Sequence, residues 1–255
     1  MTASCEVLSE WMKSNKLKLN AEKTHILTVG TQQKLSSLPR KLEVAMDRVV
    51  LQNDNVGYEM LLGCKVQENM KWNQQVEMLL NKLSKRLVGL QNLRLICPYV
   101  LRKTITEGLF NSILAYCLHP YGGMDSDSIR CIQSLQNKAA RLVCCAPPRS
   151  NRVELFRKLD WLTVNQLVVY HTLILVFKIR NNREPEYLFQ FLCNDSRNGR
   201  IMIPHLTLSL MLRSFCVRGA CNWNLLPAQI RTEQKIGIFK KKMRKWILDN
   251  TPMFA

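Results

Sequence analysis

The stretch Val76-Glu-Met-Leu-Leu-Asn-Lys-Leu-Ser-Lys-Arg-Leu-Val-Gly-Leu-Gln-Asn-Leu-Arg-Leu-Ile96 decides the fold class. Its apolar residues Val76, Leu79, Leu80, Leu83, Leu87, Leu90, Leu93 and Ile96 step mostly by three and four, the period of a helix with one buried face, and Pro98 marks the stop. The same period returns downstream. A second helix is expected from Tyr99 to Leu118, ending before His119-Pro-Tyr-Gly-Gly123. Asp125 or Ser126 can cap a third, with Ile129, Ile132, Leu135, Ala139, Leu142 and Val143 inside and Pro147-Pro148 closing it. A fourth spans Thr163 to Asn181, and its near-continuous apolar middle calls for burial on more than one side. Four helices with short connections predict a bundle-like body.

Upstream the pattern is mixed. Cys5, Leu8, Trp11 and Met12 share one face of a short helix, Ser4 to Asn15, with Ser4 as N-cap. Alternation through Lys16 to Asn20 and β-branched residues from His25 to Val29 predict a strand after it. Leu42 to Leu51 and Tyr58 to Val66 read as two more strands around the turn-like Gln52-Asn-Asp-Asn-Val-Gly57. The expected class is therefore mainly α: a small α+β patch at residues 1–71, a helical body at 72–193, and a basic helical end at 194–255, entered through the polar hinge Asn194 to Arg200.

Charge narrows the partners. Thirty-seven Lys and Arg against nineteen Asp and Glu give a net charge of +18, a field that favours polyanions. RNA or DNA is the expected partner. The longest apolar run, Leu167 to Phe177, carries His171 and is too short to span a bilayer, so no membrane is expected. The start has neither a basic n-region nor an apolar h-region, which points to an intracellular chain, in cytoplasm or nucleus. Ten cysteines sit mostly in apolar periodic segments and read as reduced, buried thiols.

The excess charge concentrates at the end, where Arg197 to Asn250 holds eleven basic and two acidic residues. A helix from Ile236 to Leu248 interleaves Ile238, Phe239, Met243, Trp246 and Ile247 with Lys240, Lys241, Lys242, Arg244 and Lys245. Those five, with Arg213 and Arg218, are candidate phosphate contacts carrying no base-reading pattern. An amphipathic helix with a solvated basic face is the plainer reading of the same residues.

Several separated phrases add a resemblance. Lys16-Leu-Lys-Leu-Asn-Ala-Glu-Lys-Thr24 and Leu61-Leu-Gly-Cys-Lys-Val-Gln-Glu-Asn-Met-Lys-Trp72 resemble the L-x-L-N-x-x-K-T phrase and the L-L-G phrase closing the palm of non-LTR retrotransposon reverse transcriptases. In the same order follow Lys82 to Arg94, Asn111-Ser-Ile-Leu-Ala-Tyr116, Leu135-Gln-Asn-Lys-Ala-Ala-Arg141, Leu159-Asp-Trp-Leu162, Pro185-Glu-Tyr-Leu188 and Trp223-Asn-Leu-Leu-Pro227. The resemblance implies that residues 1–71 are the end of a palm and that the helices after it are a thumb that packs on template and primer. It also implies that Leu61, Leu62 and Gly63 form a primer-grip hairpin, and that Lys23 protonates the departing pyrophosphate.

Phosphoryl transfer in that family needs two metal ions on adjacent aspartates. This sequence has no Asp-Asp. Asp125 and Asp127 read as helix caps, and Asp54 is a single carboxylate. The carboxylates are expected in a polymerase portion before Met1, which would itself be a partner, with magnesium needed only by the complete enzyme and no cofactor in this chain. The expectation is a polymerase fragment that is inactive alone. A non-catalytic nucleic-acid-binding module and a helical interaction protein are the alternatives. Cys193, His205, Cys216 and Cys221 are too unevenly spaced for a zinc site, the four His stand apart, and Gly122-Gly123 lacks the Lys of a phosphate loop.

Overall fold

A computed structural model describes residues 2–37, 43–46, 49–52, 57–182, 185–192, 195–196, 199–203 and 209–250. The protein is mainly α-helical, with three short antiparallel strand pairs. It divides into two compact units, Met1–Gln75 and Val76–Ala255.

In the first unit the helix runs Thr2–Ser14, so Ser4 lies inside it rather than capping it. Residues 24–31 form no strand, contrary to expectation. They are tied instead by one backbone bond, Gly30 N–H to Glu68 O at 3.0 Å, after which a short helix, Gln32–Ser37, begins. Each run expected as one strand is two. Glu43–Met46 pairs with Val49–Gln52, and Tyr58–Leu61 pairs with Cys64–Gln67. Alternating residues suit a hairpin arm as well as a long strand, and only the turn tells them apart. Most of the expected turn between the pairs, residues 53–56, lies outside the described residues. Amide side chains fasten the second hairpin to the chain that follows: Gln75 Oε1 accepts from Lys65 N at 2.8 Å, and Gln67 Oε1 accepts from Gln74 N at 3.0 Å.

The second unit contains the four expected helices and several more. The opening stretch is Asn73–Gln91, with Val76, Leu79, Leu83, Leu87 and Leu90 buried as their spacing requires. A short helix, Leu93–Ile96, follows before Pro98, and there the face fails: Ile96 is 78% exposed. The second helix, Tyr99–Thr106, continues through a π-helical turn, Glu107–Asn111, into Ser112–Ala115. It stops three residues earlier than expected, at Cys117 with φ 52°, and a further turn, Leu118–Tyr121, is helical despite Pro120. Proline fits in a first turn because those N–H groups have no intrahelical partner. Gly122 and Gly123 are dictated by crowding: a Cβ on Gly123 would lie 2.4 Å from Arg213 O.

Asp125 caps the third helix, Ser126–Cys144, by accepting from Ser128 N at 2.8 Å, and this bond holds its carboxyl below the usual range. Its end comes from Cys145 at φ 51°, with Ala146 N bonded to Arg141 O and Cys145 N to Leu142 O, before the prolines are reached. Helix Arg152–Leu159, capped by Asn151, was not foreseen. The fourth expected helix is Val164–Asn182, and Thr163 and Gln166 form a capping box: Gln166 N to Thr163 Oγ1 at 3.4 Å, Thr163 N to Gln166 Oε1 at 2.9 Å.

The basic end packs into this unit. Leu173, Val176 and Phe177 share one core with Trp223 of helix Phe215–Leu225 and with Phe239, Met243 and Ile247 of helix Ile236–Asp249. Phe239 stacks on Phe177 with centroids 4.3 Å apart. Among the described residues no single helix is long and apolar enough to cross a membrane; Arg152–Leu159 and Val164–Asn182 meet that composition only as a bent pair. The nine described cysteines form no disulfide with one another, but only Cys64 is buried, while Cys131, Cys145 and Cys221 are exposed. Their helical spacing put them near the core without placing them in it.

Candidate nucleic-acid interface

Lys23 ends a 3₁₀ turn, Ala21–Lys23, with its side chain exposed. Asn20 O accepts from Lys23 N at 3.2 Å and from Thr24 Oγ1 at 2.7 Å, so the N-x-x-K-T phrase closes on itself as a turn. Leu61, Leu62 and Gly63 lie at the tip of the second hairpin. Leu61 faces Cys64, and Leu62 and Gly63 take φ 48° and 78°, a two-residue loop with both central residues at positive φ. Such loops favour Asn-Gly. Here the first position is a leucine that is 82% exposed, beside Leu61 at 63%.

The seven basic candidates at the C-terminal end separate by environment. On helix Ile236–Asp249, Phe239, Met243 and Ile247 face the core, which turns Lys241 and Lys245, one helical turn apart, to solvent. Among the described residues neither makes an ion pair. Lys242 Nζ is held by Glu233 Oε2 at 2.7 Å, and that bond lowers the Glu233 pKa. Arg244 lies 3.0 Å from Asp160 Oδ2 and also donates to the Asp160 carbonyl. Lys240 is half-buried, and its charge helps lower the pKa of His171. Arg213 is exposed, and its carbonyl accepts from Arg218 Nε at 3.0 Å.

Arg218 is turned inward. Its Nη2 donates to His119 O at 2.8 Å, Nη1 is buried against Gly122, and burial lowers its pKa to about 10. A guanidinium committed to two carbonyls ties helix Phe215–Leu225 to the Leu118–Tyr121 turn and has little left for a phosphate. Arg213, Lys241 and Lys245 remain the freest of the seven.

The histidines expected to stand apart do not all do so. His119 and His171 lie with ring centroids 5.7 Å apart, and Tyr170 packs edge-on to His171 at 5.5 Å. Burial first, then the neighbouring His171, Arg218 and Lys178, lowers His119 to about 4, so the ring is neutral at pH 7. A separation of fifty-two residues gave no sequence signal for this pair. Among the described residues no three His, Cys, Asp or Glu side chains converge on a point that could hold a metal. Cys193 and His205 lie outside the described residues. Asp127 pairs with Arg130 and Asp125 is a cap, so neither converges on a metal site.

Several phrases are joints of the fold. Trp223 is buried and donates to Gly199 O at 3.0 Å, while Asn224 clamps Ile201 through both its N–H and C=O at 2.9 and 2.8 Å. Leu159 is buried, Trp161 donates to Glu107 Oε1 at 2.8 Å, and Leu162 O accepts from Gln136 Nε2 at 2.9 Å. In this chain these residues serve packing, which ties the phrases to architecture before chemistry. No family model, no curated protein and no solved structure matches the chain.

Proposed function

We propose that this chain grips nucleic acid as the primer- and template-holding part of a non-LTR retrotransposon reverse transcriptase, without itself supplying the metal-binding aspartates. The observation that carries it is the ordered series of phrases, with the L-L-G phrase on the exposed apolar tip of a hairpin. Charge supports it: if every acidic side chain were paired, eighteen positive charges would still be in excess. Arg213, Lys241 and Lys245 are the phosphate contacts, the Leu61 to Gly63 tip meets the primer end, and Lys23 serves the leaving group only where a polymerase centre is complete.

The test is binding of labelled RNA and DNA by the full chain across a salt series. Affinity is expected to fall steeply with salt, and neutralising Arg213, Lys241 and Lys245 to Gln to flatten the log–log slope by about 2 to 3. No binding at low salt sinks the reading. Primer extension on an RNA template by the purified chain would refute the claim that it lacks catalysis. The rival reading, a helical interaction protein, has one specific support in Leu95, Ile96 and Val100, which are 91%, 78% and 72% exposed. It is favoured if nucleic-acid binding is absent while Val100→Ser suppresses self-association in sedimentation.

A further inference from the structure

A groove in the second unit of about 520 Å³ joins two phrases that lie far apart in sequence. Leu87 and Arg94 come from the first helical stretch and its short extension; Lys138, Arg141 and Leu142 come from the last turns of helix Ser126–Cys144; and Pro148 completes the wall. Three cations line it and no acid does. Among the described residues none of the three makes an ion pair, and Arg141 Nε is buried without a hydrogen-bond partner. A donor left in that state is costly unless a ligand satisfies it. Cations at a helix C-terminus also answer the helix dipole, but the dipole does not account for Arg94 arriving from another helix.

The groove is braced for an anion. Arg102 donates through Nε to Val143 O at 3.1 Å and through Nη1 to Cys97 O at 2.5 Å, so one guanidinium ties the two walls together. The carbonyls that would repel an anion at this helix end are already occupied: Arg141 O by Ala146 N, Leu142 O by Cys145 N, and Val143 O by Arg102. Between the cations the floor is apolar, since Leu87 and Leu142 are buried at 8% and 9% exposure and line it. Clefts of about 300–1,000 Å³ hold small ligands, a size that suits one or two nucleotides.

We propose that this groove binds a segment of single-stranded nucleic acid, with Arg94, Lys138 and Arg141 on its phosphates and an unpaired base or sugar lying on the Leu87, Leu142 and Pro148 surface. A duplex keeps its bases stacked inside and has no apolar face to lay there. The inference rests on the nucleic-acid-holding reading above and adds to it a site and a strand state.

The test uses the full chain and a labelled oligonucleotide of about twelve nucleotides, single-stranded or annealed to its complement, from about 50 to about 200 mM salt. Arg94→Gln with Lys138→Gln and Arg141→Gln is expected to weaken single-strand binding at least about tenfold, and to flatten the salt slope by about 2. Arg94→Lys with Arg141→Lys, which keeps the charge but removes the guanidinium donors, is expected to bind more weakly than wild type and more tightly than the triple variant. Unchanged single-strand binding by the triple variant overturns the groove while leaving the broader reading intact; no binding of either form by the wild type overturns both. Equal losses on strand and duplex overturn the strand assignment. If the Lys variant, folded by circular dichroism, falls as far as the triple variant, the charge basis is overturned.

Discussion

In Met1–Gln75 the buried described residues are Cys64 and three polar ones, Ser9, Gln67 and Gln75, while Val7, Trp11 and Leu62 stand 67%, 57% and 82% exposed. In Val76–Ala255 Leu83, Phe110, Leu114, Ile132, Leu173, Phe239 and Met243 are wholly buried. The described contacts of the first unit are mostly hydrogen bonds in competition with water, each contributing about 1 kcal/mol net. The second is held by apolar burial at roughly 25 cal/mol per Å². Two-stranded hairpins are marginal in isolation, and among the described residues of the first unit little apolar surface is buried to support the second one.

The contrast breaks first at Phe110. Phe110→Ala removes a ring with no exposed area and is expected to cost about 3–5 kcal/mol, read as a lowered midpoint in urea denaturation. Gly123→Ala drives a Cβ against Arg213 O and should cost about 1–3 kcal/mol by the same measurement.

Acid provides a third probe. His119 titrates near 6.5 unfolded and about 4 folded, so below pH 6.5 the unfolded chain binds the proton first. Its contribution is present above 6.5 and lost as pH falls towards 4, about 1–2 kcal/mol once its partial exposure is discounted. A thermal melting series in which His119→Asn keeps the full wild-type loss would remove His119 from the account. Leu62→Asn places at φ 48° a residue whose short polar side chain suits the left-handed region better than leucine, and is expected to stabilise the hairpin by up to about 1 kcal/mol, seen as slower hydrogen exchange between residues 58 and 67. Smallest, Trp11→Ala should change the unfolding free energy, read by urea denaturation, by less than about 0.5 kcal/mol.

The same division governs what could be read from the chain. Val76, Leu79, Leu83, Leu87 and Leu90 declared their helix and its inner face because burial on one side imposes a period. Helix Ile236–Asp249 was legible for the same reason. Arg152–Leu159 was not, since eight residues give the period little room to show. Among the described residues of the first unit few side chains are buried, so the pattern that separates strand from coil at 25–29 is weak. Charge marked the basic end but could not tell Lys241, which faces solvent, from Arg218, which spends its guanidinium on carbonyls. Both carry the same formal charge, and only the packing of a neighbouring helix distinguishes them. The Arg94 groove was illegible because its walls are some forty residues apart and meet through contacts such as those of Arg102 that no sequence spacing announces.

The π-helical turn at Glu107–Asn111 sets the phase of the helix around it. Such a turn holds one residue more than an α-helix needs. Upstream, Lys103 pairs with Glu107; downstream, Leu114 is wholly buried. Without the extra residue, everything after it would rotate by about 100° and Leu114 would leave the core. The bulge therefore works as a phase adjuster, letting one half of a helix serve Trp161 and the other half serve Tyr121 without either giving way.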